Sequence, residues 1–186
     1  PKTPKPLLFE FYYNLNMGPK KNKPGEDGED MSTEQFYKQY VKNCRAVEIP
    51  ISKIVKDKYD NEYMEDRSPM IKFNIWESLC WQGTRALMDA LRSVNYQHTR
   101  TIRLWKTDSE DEGCRSVCQY IAGCDSVVML ELLDNKITPL GCEHIGKLLM
   151  PDAKTNLTHL KLDHNPFGAA GLKFLAEGLS MNKNIV

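Results

Sequence analysis

The sequence has no apolar stretch long enough to cross a membrane. A membrane-spanning helix requires about 20 consecutive apolar residues, whereas the longest strongly apolar patch, residues 127–133, contains Glu131. The sequence also has no excess of either charge, because 25 basic side chains balance 25 acidic ones. It therefore lacks the basic footprint that binds nucleic acid or an anionic membrane. We expect a soluble protein that binds neither nucleic acid nor membranes.

Sequence signatures of the common enzyme classes are missing as well. The chain has no G-x-S-x-G, H-E-x-x-H, P-loop or dinucleotide-binding motif. Its six cysteines lack the compact spacing of a disulfide framework, which favours a reducing compartment. We therefore expect no catalytic residues, no cofactor and no small-molecule substrate.

The feature that organises the chain is a repeat near its end. Residues 157–179 combine alternating leucines, an asparagine and a helical apolar spacing, and the same order occurs about 30 residues earlier. Alternation predicts a short strand, and spacings of three and four residues predict a helix packed against it. The matching positions are Leu157, Leu160, Leu162, Asn165, Phe167, Gly171, Leu172, Leu175 and Leu179 in one copy, and Val127, Leu130, Leu132, Asn135, Ile137, Gly141, Cys142, Ile145 and Leu149 in the other.

Two weaker copies precede these two. In one of them Thr107 and Ser109 replace the asparagine and the apolar residue of the turn. Since an asparagine side chain can bond the backbone of an adjoining turn, we expect the turn at Thr107 to be looser. The other copy has a strand over residues 71–75 and no asparagine. A further copy begins at residues 184–186, so we expect the chain to be a piece truncated at its C-terminal end.

The chain before the repeats divides into two parts. Residues 1–31 hold a β-prone stretch at residues 7–13 and a charged linker without apolar residues, which predicts an extended segment followed by disorder. Residues 32–69 are expected to form an N-terminal cap for the repeats. Within the cap, Ser32 and Gln35 fit a capping box, so a helix should begin at Ser32.

The rest of the cap is predicted from its apolar spacing. Residues 36–44 carry apolar side chains at helical spacing, which predicts a helix with one buried stripe. Residues 47–51 alternate as a short edge strand, and residues 56–69 form a polar loop in this interpretation. The cap should thus consist of a helix, a short strand and a polar loop.

The repeat, read as LxxLxLxxNxFGxxGxxxLxxxL, resembles the leucine-rich repeats of ribonuclease-inhibitor type. Tyr40 and Cys44, then residues 49–52 and 79–87, are similar to the cap and first repeat of leucine-rich-repeat proteins of cilia and flagella. The resemblance implies an α/β fold, a leucine-rich-repeat solenoid or horseshoe over residues 70–186. Its parallel strands would lie on the concave side, its helices on the convex side, and a helical cap at its N-terminal end.

The same resemblance implies a function. Leucine-rich-repeat proteins of cilia serve as structural or docking components of the axoneme. We therefore expect a non-enzymatic protein–protein interaction scaffold in an axonemal, microtubule-associated part of the cytoskeleton and cytoplasm. Two alternatives stay open, a soluble binding protein of ribonuclease-inhibitor kind and a GTPase-activating protein of the Ran type. The latter needs an arginine on a loop to meet a nucleotide phosphate, and Arg85 and Arg115 do not fit this role well.

Binding residues are predicted from the strand positions that point away from the core. In a parallel array such positions line up across neighbouring strands. Exposed aromatic residues are the anchors that interfaces use, so we predict a protein-binding patch, unless residues 7–13 or 53–69 of the chain cover it. The first row is Asn74, Arg103, Glu131 and Lys161, and the second is Trp76, Trp105, Leu133 and Asp163. The predicted protein-binding residues are Trp76, Arg103, Trp105, Glu131, Leu133, Lys161 and Asp163.

Cysteines and histidines raise the question of a metal site. Cys114 and Cys118 lie four residues apart on a predicted helix, a spacing that metal ligands use. However, Cys114 and Cys142 occupy the same repeat position, where the pattern requires a small or medium apolar side chain. We therefore predict buried structural cysteines and no metal. His159 and His164 flank the last strand, and we expect them to be solvated or bonded within turns.

Overall fold

The computed structural model describes residues 30–186, which alternate strands with helices. The described residues form four strands, β1 Lys72–Ile75, β2 Thr101–Trp105, β3 Met129–Leu133 and β4 His159–Lys161. Their α-helices are α1 Ser32–Ala46, α2 Lys53–Lys58, α3 Cys80–Ser93, α4 Glu110–Ile121, α5 Pro139–Leu149 and α6 Gly168–Met181. A π-helical segment, Tyr59–Glu65, continues α2, and a 3-10 turn, Pro151–Ala153, follows α5. The β-prone stretch and almost all of the charged linker predicted for residues 1–31 lie outside the described residues.

The four strands form one parallel sheet in the order β1-β2-β3-β4. Lys72 pairs with Thr101, Thr101 with Met129, and Met129 with His159. The steps along the chain, 29, 28 and 30 residues, equal the repeat length in the sequence. Each copy of the repeat therefore supplies one strand and the helix that follows it, and the molecule is an α/β protein with a parallel sheet.

The prediction of a leucine-rich-repeat horseshoe is wrong. The described residues hold one small sheet of four strands, each of which is three to five residues long. Since neighbouring strands are about 4.8 Å apart, this sheet measures only about 14 Å from β1 to β4 and forms no extended concave side. A repeat length determines the step between neighbouring strands, but it determines neither their number nor the curvature of the sheet.

The hydrophobic core lies between the sheet and helices α3 to α6. Neighbouring helices pack side by side in the order of the strands that precede them. Alternate residues of each strand point toward these helices, as a strand period of two requires. The strand residues buried in this way are Phe73, Ile75, Ile102, Leu104, Leu130 and Leu132. The opposite face of the sheet therefore presents the other half of the strand residues.

Helices α5 and α6 approach each other closely at two glycines. A Cβ atom at Gly146 would lie 2.5 Å from the carbonyl oxygen of Phe174. A Cβ atom at Gly178 would lie 2.5 Å from the carbonyl oxygen of Gly146. Because real Cβ atoms do not approach a backbone oxygen this closely, both positions require glycine for the two helices to keep their spacing.

The predicted inner face of α6 is only partly correct. Leu175 is buried, but Leu172 and Leu179 are 59% and 41% exposed, so the prediction that they pack onto the strand is wrong. The contact with α5 is made through Gly171 and Gly178. Leu172 and Leu179 each follow one of these glycines, and one residue turns an α-helix by about 100°, which carries both leucines away from the contact.

Asparagine side chains connect the turns that follow the strands. The side-chain oxygen of Asn135 accepts from the backbone N–H of Thr107 at 3.0 Å, and its amide donates to the carbonyl oxygens of Leu104 and Leu133 at 2.7 and 2.9 Å. Asn165 makes the corresponding bonds one unit further along. The predicted role of these asparagines is confirmed. The predicted looseness at Thr107 is wrong, because Thr107 is fully buried and its hydroxyl donates to Asn135 at 2.7 Å.

Helix α1 begins at Ser32, as predicted, but the capping box is wrong. Met31 precedes the helix without a side-chain capping bond, and the backbone N–H of Ser32 donates to the carboxylate of Asp30 at 2.9 Å. The carboxylate of Asp30, two residues earlier in the chain, thus accepts from the Ser32 N–H in place of the predicted Gln35 side chain. The buried face of α1 contains Phe36, Tyr40 and Cys44, as predicted.

Two further predictions for the cap are wrong. Residues 47–51 are not a strand, because Glu48 adopts a left-handed conformation with φ of 55° and interrupts the alternation. Most of residues 56–69 are not a loop, because α2 and the π-helical segment run through them. Apolar residues four positions apart make this stretch amphipathic despite its polar composition. Those residues are Val55, Tyr59 and Tyr63, all buried.

Candidate functional site

The first predicted row of outward residues is present in the sheet. Asn74 pairs with Arg103, Arg103 with Glu131, and Glu131 with Lys161. Because alternate strand residues point to opposite faces, these four lie side by side on the face that the helices leave open. The predicted alignment of the four residues is confirmed.

The second row lies where the strands end. Trp105 pairs with Leu133, Trp76 directly follows β1, and Asp163 lies two residues beyond β4. Trp76 is 65% exposed, Trp105 is 56% exposed, and Leu133 is half-buried. The two indoles therefore belong to neighbouring strands and remain open to solvent. The alternative that residues 53–69 cover them is wrong, whereas residues 7–13 lie outside the described residues.

Glu131 connects the charged residues of the first row. Its carboxylate lies 3.1 Å from Nε of Arg103 and 3.4 Å from Nζ of Lys161, and the residue is only 9% exposed. One carboxylate is thus shared by two cations, which leaves the row with a net positive charge. The charges form a connected set beside the tryptophans rather than independent solvated groups.

The sequence-based prediction missed a third row on the same face. Lys72, Thr101, Met129 and His159 are paired across the four strands. Each of them precedes a first-row residue by two positions, so the alternation that gave the other two rows also contains this one. Together the three rows define what we term the exposed strand face.

One histidine, His159, lies on this face, and a second, His164, lies next to it. Nδ1 of His159 lies 2.8 Å from the hydroxyl of Thr158, its neighbour in the chain. His164 is exposed in a turn with a left-handed φ of 61°. His159 and His164 are thus both exposed, one bonded to its neighbour in the chain and the other in a turn, as predicted.

Cys114 and Cys142, which share one repeat position, are both buried, as predicted. Together with Cys118 they lie in helices α4 and α5 and are at most 6% exposed. A hydrogen bond with Cys118 and burial raise the pKa of the Cys114 thiol well above its ordinary value, and burial raises the pKa of Cys142 to about 11. Protonated buried thiols are poor nucleophiles and poor ligands. Residues 30–186 hold no group of three or more side chains able to bind a metal ion.

The two arginines considered for nucleotide chemistry lie on helices. Nε of Arg85 in α3 is 3.4 Å from the carboxylate of Asp89, and Arg115 in α4 is 3.5 Å from that of Glu112. Each arginine thus pairs with an acidic residue of its own helix, and neither belongs to the exposed strand face.

Comparisons with known proteins give no family or function for this chain. No protein-family model matches the chain, and no curated protein matches it significantly. Among the helices of residues 30–186, none combines the length and the apolar character that crossing a membrane requires. The exposed strand face, with its two tryptophans, is therefore the feature from which a function has to be inferred.

Proposed function

We propose that this protein is a non-enzymatic protein–protein interaction scaffold and that the exposed strand face is its binding surface. One observation carries the proposal: Trp76 and Trp105 stand on neighbouring strands with 65% and 56% of their surface exposed. Tryptophan is strongly enriched among the residues that dominate binding energies, because its large rigid ring gains much when a partner removes it from water. Two adjacent exposed indoles therefore support a partner that covers them.

The neighbouring side chains suit the rim of such an interface. Leu133 extends the apolar centre, because it pairs with Trp105. Arg103, Glu131 and Lys161 border this centre toward the amino ends of the strands, and Asp163 borders it at the last strand. Charged rims orient a partner and accelerate association more than they add affinity.

The proposed cellular setting is a ciliary or flagellar axoneme, or another microtubule-associated assembly of the cytoplasm, in which the protein acts as a docking component. The support is the sequence similarity of residues 40–52 and 79–87 to leucine-rich-repeat proteins of cilia and flagella. An exposed aromatic surface with a charged rim fits a docking role.

Crosslinking mass spectrometry on the native source material tests both parts of this proposal. Lys72, Lys106 and Lys161 lie on or next to the exposed strand face, so lysine-reactive crosslinks from them should reach ciliary structural proteins. A purely soluble monomer with no crosslinks from these lysines would count against the proposal.

Point variants then connect the crosslinked partner to the tryptophans. Trp105→Ala should weaken the interaction by about 30-fold or more, because an anchor of this kind contributes at least about 2 kcal/mol to binding. The matched control is Leu140→Ala, which removes a hydrophobic residue of similar exposure, 52%, from helix α5. Equal binding by the two variants would reject the exposed strand face as the binding surface.

Single-turnover GTP hydrolysis with a panel of small GTPases addresses the enzymatic alternative. An acceleration by about 10³-fold or more, the effect of a supplied arginine, would replace the scaffold with a GTPase-activating protein. Unchanged hydrolysis is the expected result, because Arg85 and Arg115 are paired within their helices.

A further inference from the structure

The exposed strand face has a positively charged end. Lys72, Arg103 and Lys161 lie on the strands before the tryptophan row, and only Glu131 opposes them. Glu131 is already shared by Arg103 and Lys161 at 3.1 and 3.4 Å. Three cations and one carboxylate leave this end with an uncompensated attraction for an acidic side chain.

The opposite end of the face is negatively charged. Beyond Trp105 the turns after β2, β3 and β4 carry three carboxylates and two lysines, so negative charge is in excess. Lys136 lies 2.7 Å from Asp108, and Lys106 lies 3.6 Å from Asp134. The carboxylates at this end are Asp108, Asp134 and Asp163. Along the strand direction, the face therefore runs from positive through aromatic to negative.

The first residues of the chain carry charged and apolar side chains in an order that complements the exposed strand face. Lys2 and Lys5 come first, Leu7, Leu8 and Phe9 follow, and Glu10 comes next. A segment that runs antiparallel to the strands would place its lysines at the negative end, its apolar residues on the indoles, and its glutamate at the positive end. The order of charges matches in this direction only.

We propose that residues 5–10 of this chain dock across its own exposed strand face, antiparallel to the strands. The spacing supports this register, because extended residues advance about 3.3 Å each in both chains. With Leu8 on Trp105, Glu10 lies two residues further along and meets Arg103, which precedes Trp105 by two residues. Lys5 precedes Leu8 and therefore lies toward the end of the face that carries Asp108 and Asp163.

The point where the described chain begins permits this docking. The carboxylate of Asp30 lies 2.6 Å from Nε2 of His98, and His98 precedes β2 by three residues. Asp30 is therefore fixed near the amino ends of the strands, the end at which the docked segment finishes. The 20 residue steps from Glu10 to Asp30 can span up to about 66 Å, so the connecting chain is long enough for residues 5–10 to reach the face.

If residues 5–10 dock on the face, a partner protein can bind Trp76 and Trp105 only after it displaces them. A tethered segment competes at an effective concentration of about 1 mM, so an external ligand of the face has to displace it first. The inference uses the surface of the proposed function but requires no partner. Failure of the docking would therefore leave the scaffold proposal unaffected, and failure of the scaffold would leave the docking intact.

Acrylamide quenching of tryptophan fluorescence in the full chain tests the docking. The chain has three tryptophans, so a Trp81→Phe background leaves only Trp76 and Trp105 as reporters. In this background, replacing Leu7, Leu8 and Phe9 together by serine should raise the quenching constant about twofold, because a covered ring face excludes the quencher. An unchanged constant would overturn the proposal.

Two charge variants provide the matched comparison. Glu10→Lys should also raise the quenching constant, because it places a cation beside Arg103. Glu26→Lys makes the same substitution outside the docked stretch and should leave the constant at the parental value. Equal effects of the two variants would overturn the register, and quenching that varies with protein concentration would assign the face to a second copy instead.

A peptide added in trans supplies an independent measurement. A synthetic peptide of residues 1–13, titrated into the full chain that carries the triple serine substitution, should return the quenching constant to the parental value. A peptide of the same composition in scrambled order should not. No effect of the native peptide, or an equal effect of the scrambled one, would overturn the proposal.

Discussion

The backbone N–H of Asn135 donates a 2.9 Å hydrogen bond to the side-chain oxygen of Asn165. The side chain of Asn135 in turn accepts from the backbone N–H of Thr107 in the preceding turn. The turns after β2 and β3 are thus each held by the asparagine of the next unit. This arrangement connects the turns at one end of the sheet independently of the apolar core.

Replacing Asn135 with alanine should lower the free energy of unfolding by about 3 kcal/mol, because each buried polar group left without a partner costs about 1–3 kcal/mol. The change removes the acceptor of the Thr107 N–H and a donor to the carbonyl oxygen of Leu104. The carbonyl oxygen of Leu133 also loses a donor but keeps the N–H of Lys106. Asn156→Ala is the control, since Asn156 makes one exposed bond to the carbonyl oxygen of Asp125. Urea denaturation measures both variants, and equal losses would contradict the role given to the buried asparagine.

A second prediction concerns the contact between α5 and α6. Gly146→Ala should lower the free energy of unfolding by about 1–3 kcal/mol, because its Cβ would lie 2.5 Å from the carbonyl oxygen of Phe174 and force the helices apart. Gly123→Ala should be nearly neutral, since its Cβ would meet the carbonyl oxygen of Tyr120 at 3.7 Å, an ordinary contact. Thermal unfolding of both variants checks this, and a neutral Gly146→Ala would show that the helices can separate without loss.

Much of the sheet could be predicted from the sequence, because the spacing of apolar side chains indicates both the strands and their register. The alternating leucines gave the strand positions, and the repeat length gave the register that pairs Arg103 with Glu131 and Trp105 with Leu133. The exposure of Trp76 and Trp105 followed from the same alternation. Each of these features depends on the step between neighbouring units, which a repeat specifies.

Other features could not be predicted because they depend on more than one unit or on contacts distant in sequence. The horseshoe prediction failed because it depends on the number of strands and on the curvature of the sheet, and a single repeat determines neither. Thr107 was expected in a loose turn because its own unit lacks asparagine, but the bond comes from Asn135 in the next unit. The helical nature of residues 53–65 was missed because charged residues separate its buried side chains.

A third prediction concerns the ion pairs of the exposed strand face. A double-mutant cycle with Arg103→Ala and Glu131→Ala should give a coupling energy of about 0.5–1 kcal/mol at low salt, because Glu131 is only 9% exposed. The coupling should decrease in high salt, since part of the pair is open to screening.

The control cycle uses Lys56 and Asp60, which lie 3.6 Å apart with side chains 58% and 48% exposed. Their coupling should be no more than about 0.5 kcal/mol, the usual value for an exposed pair on one helix. If the two cycles gave the same coupling at every salt concentration, the buried position of Glu131 would have no energetic consequence.

A fourth prediction follows from His144, which is half-buried on α5. Burial, and then the nearby charges of Lys147 and Arg115, lower the pKa of His144 below its ordinary value of 6.5, against the opposing effect of Glu143 and Glu112. The folded state thus binds a proton at His144 less readily than the unfolded state does. The stabilisation by neutral His144 is complete above pH 6.5, declines as the pH falls from 6.5 toward the lowered pKa, and does not change further below it.

Urea midpoints of the parent protein and of His144→Gln, measured at pH 7.5 and at pH 5.5, test this dependence. The parent should lose more stability on acidification than His144→Gln, because glutamine takes up no proton while other titrating groups remain the same. If His144→Gln and the parent lost equal stability, the protonation of His144 would not be coupled to folding, and its burial in α5 would have to be relieved by a local movement that admits water.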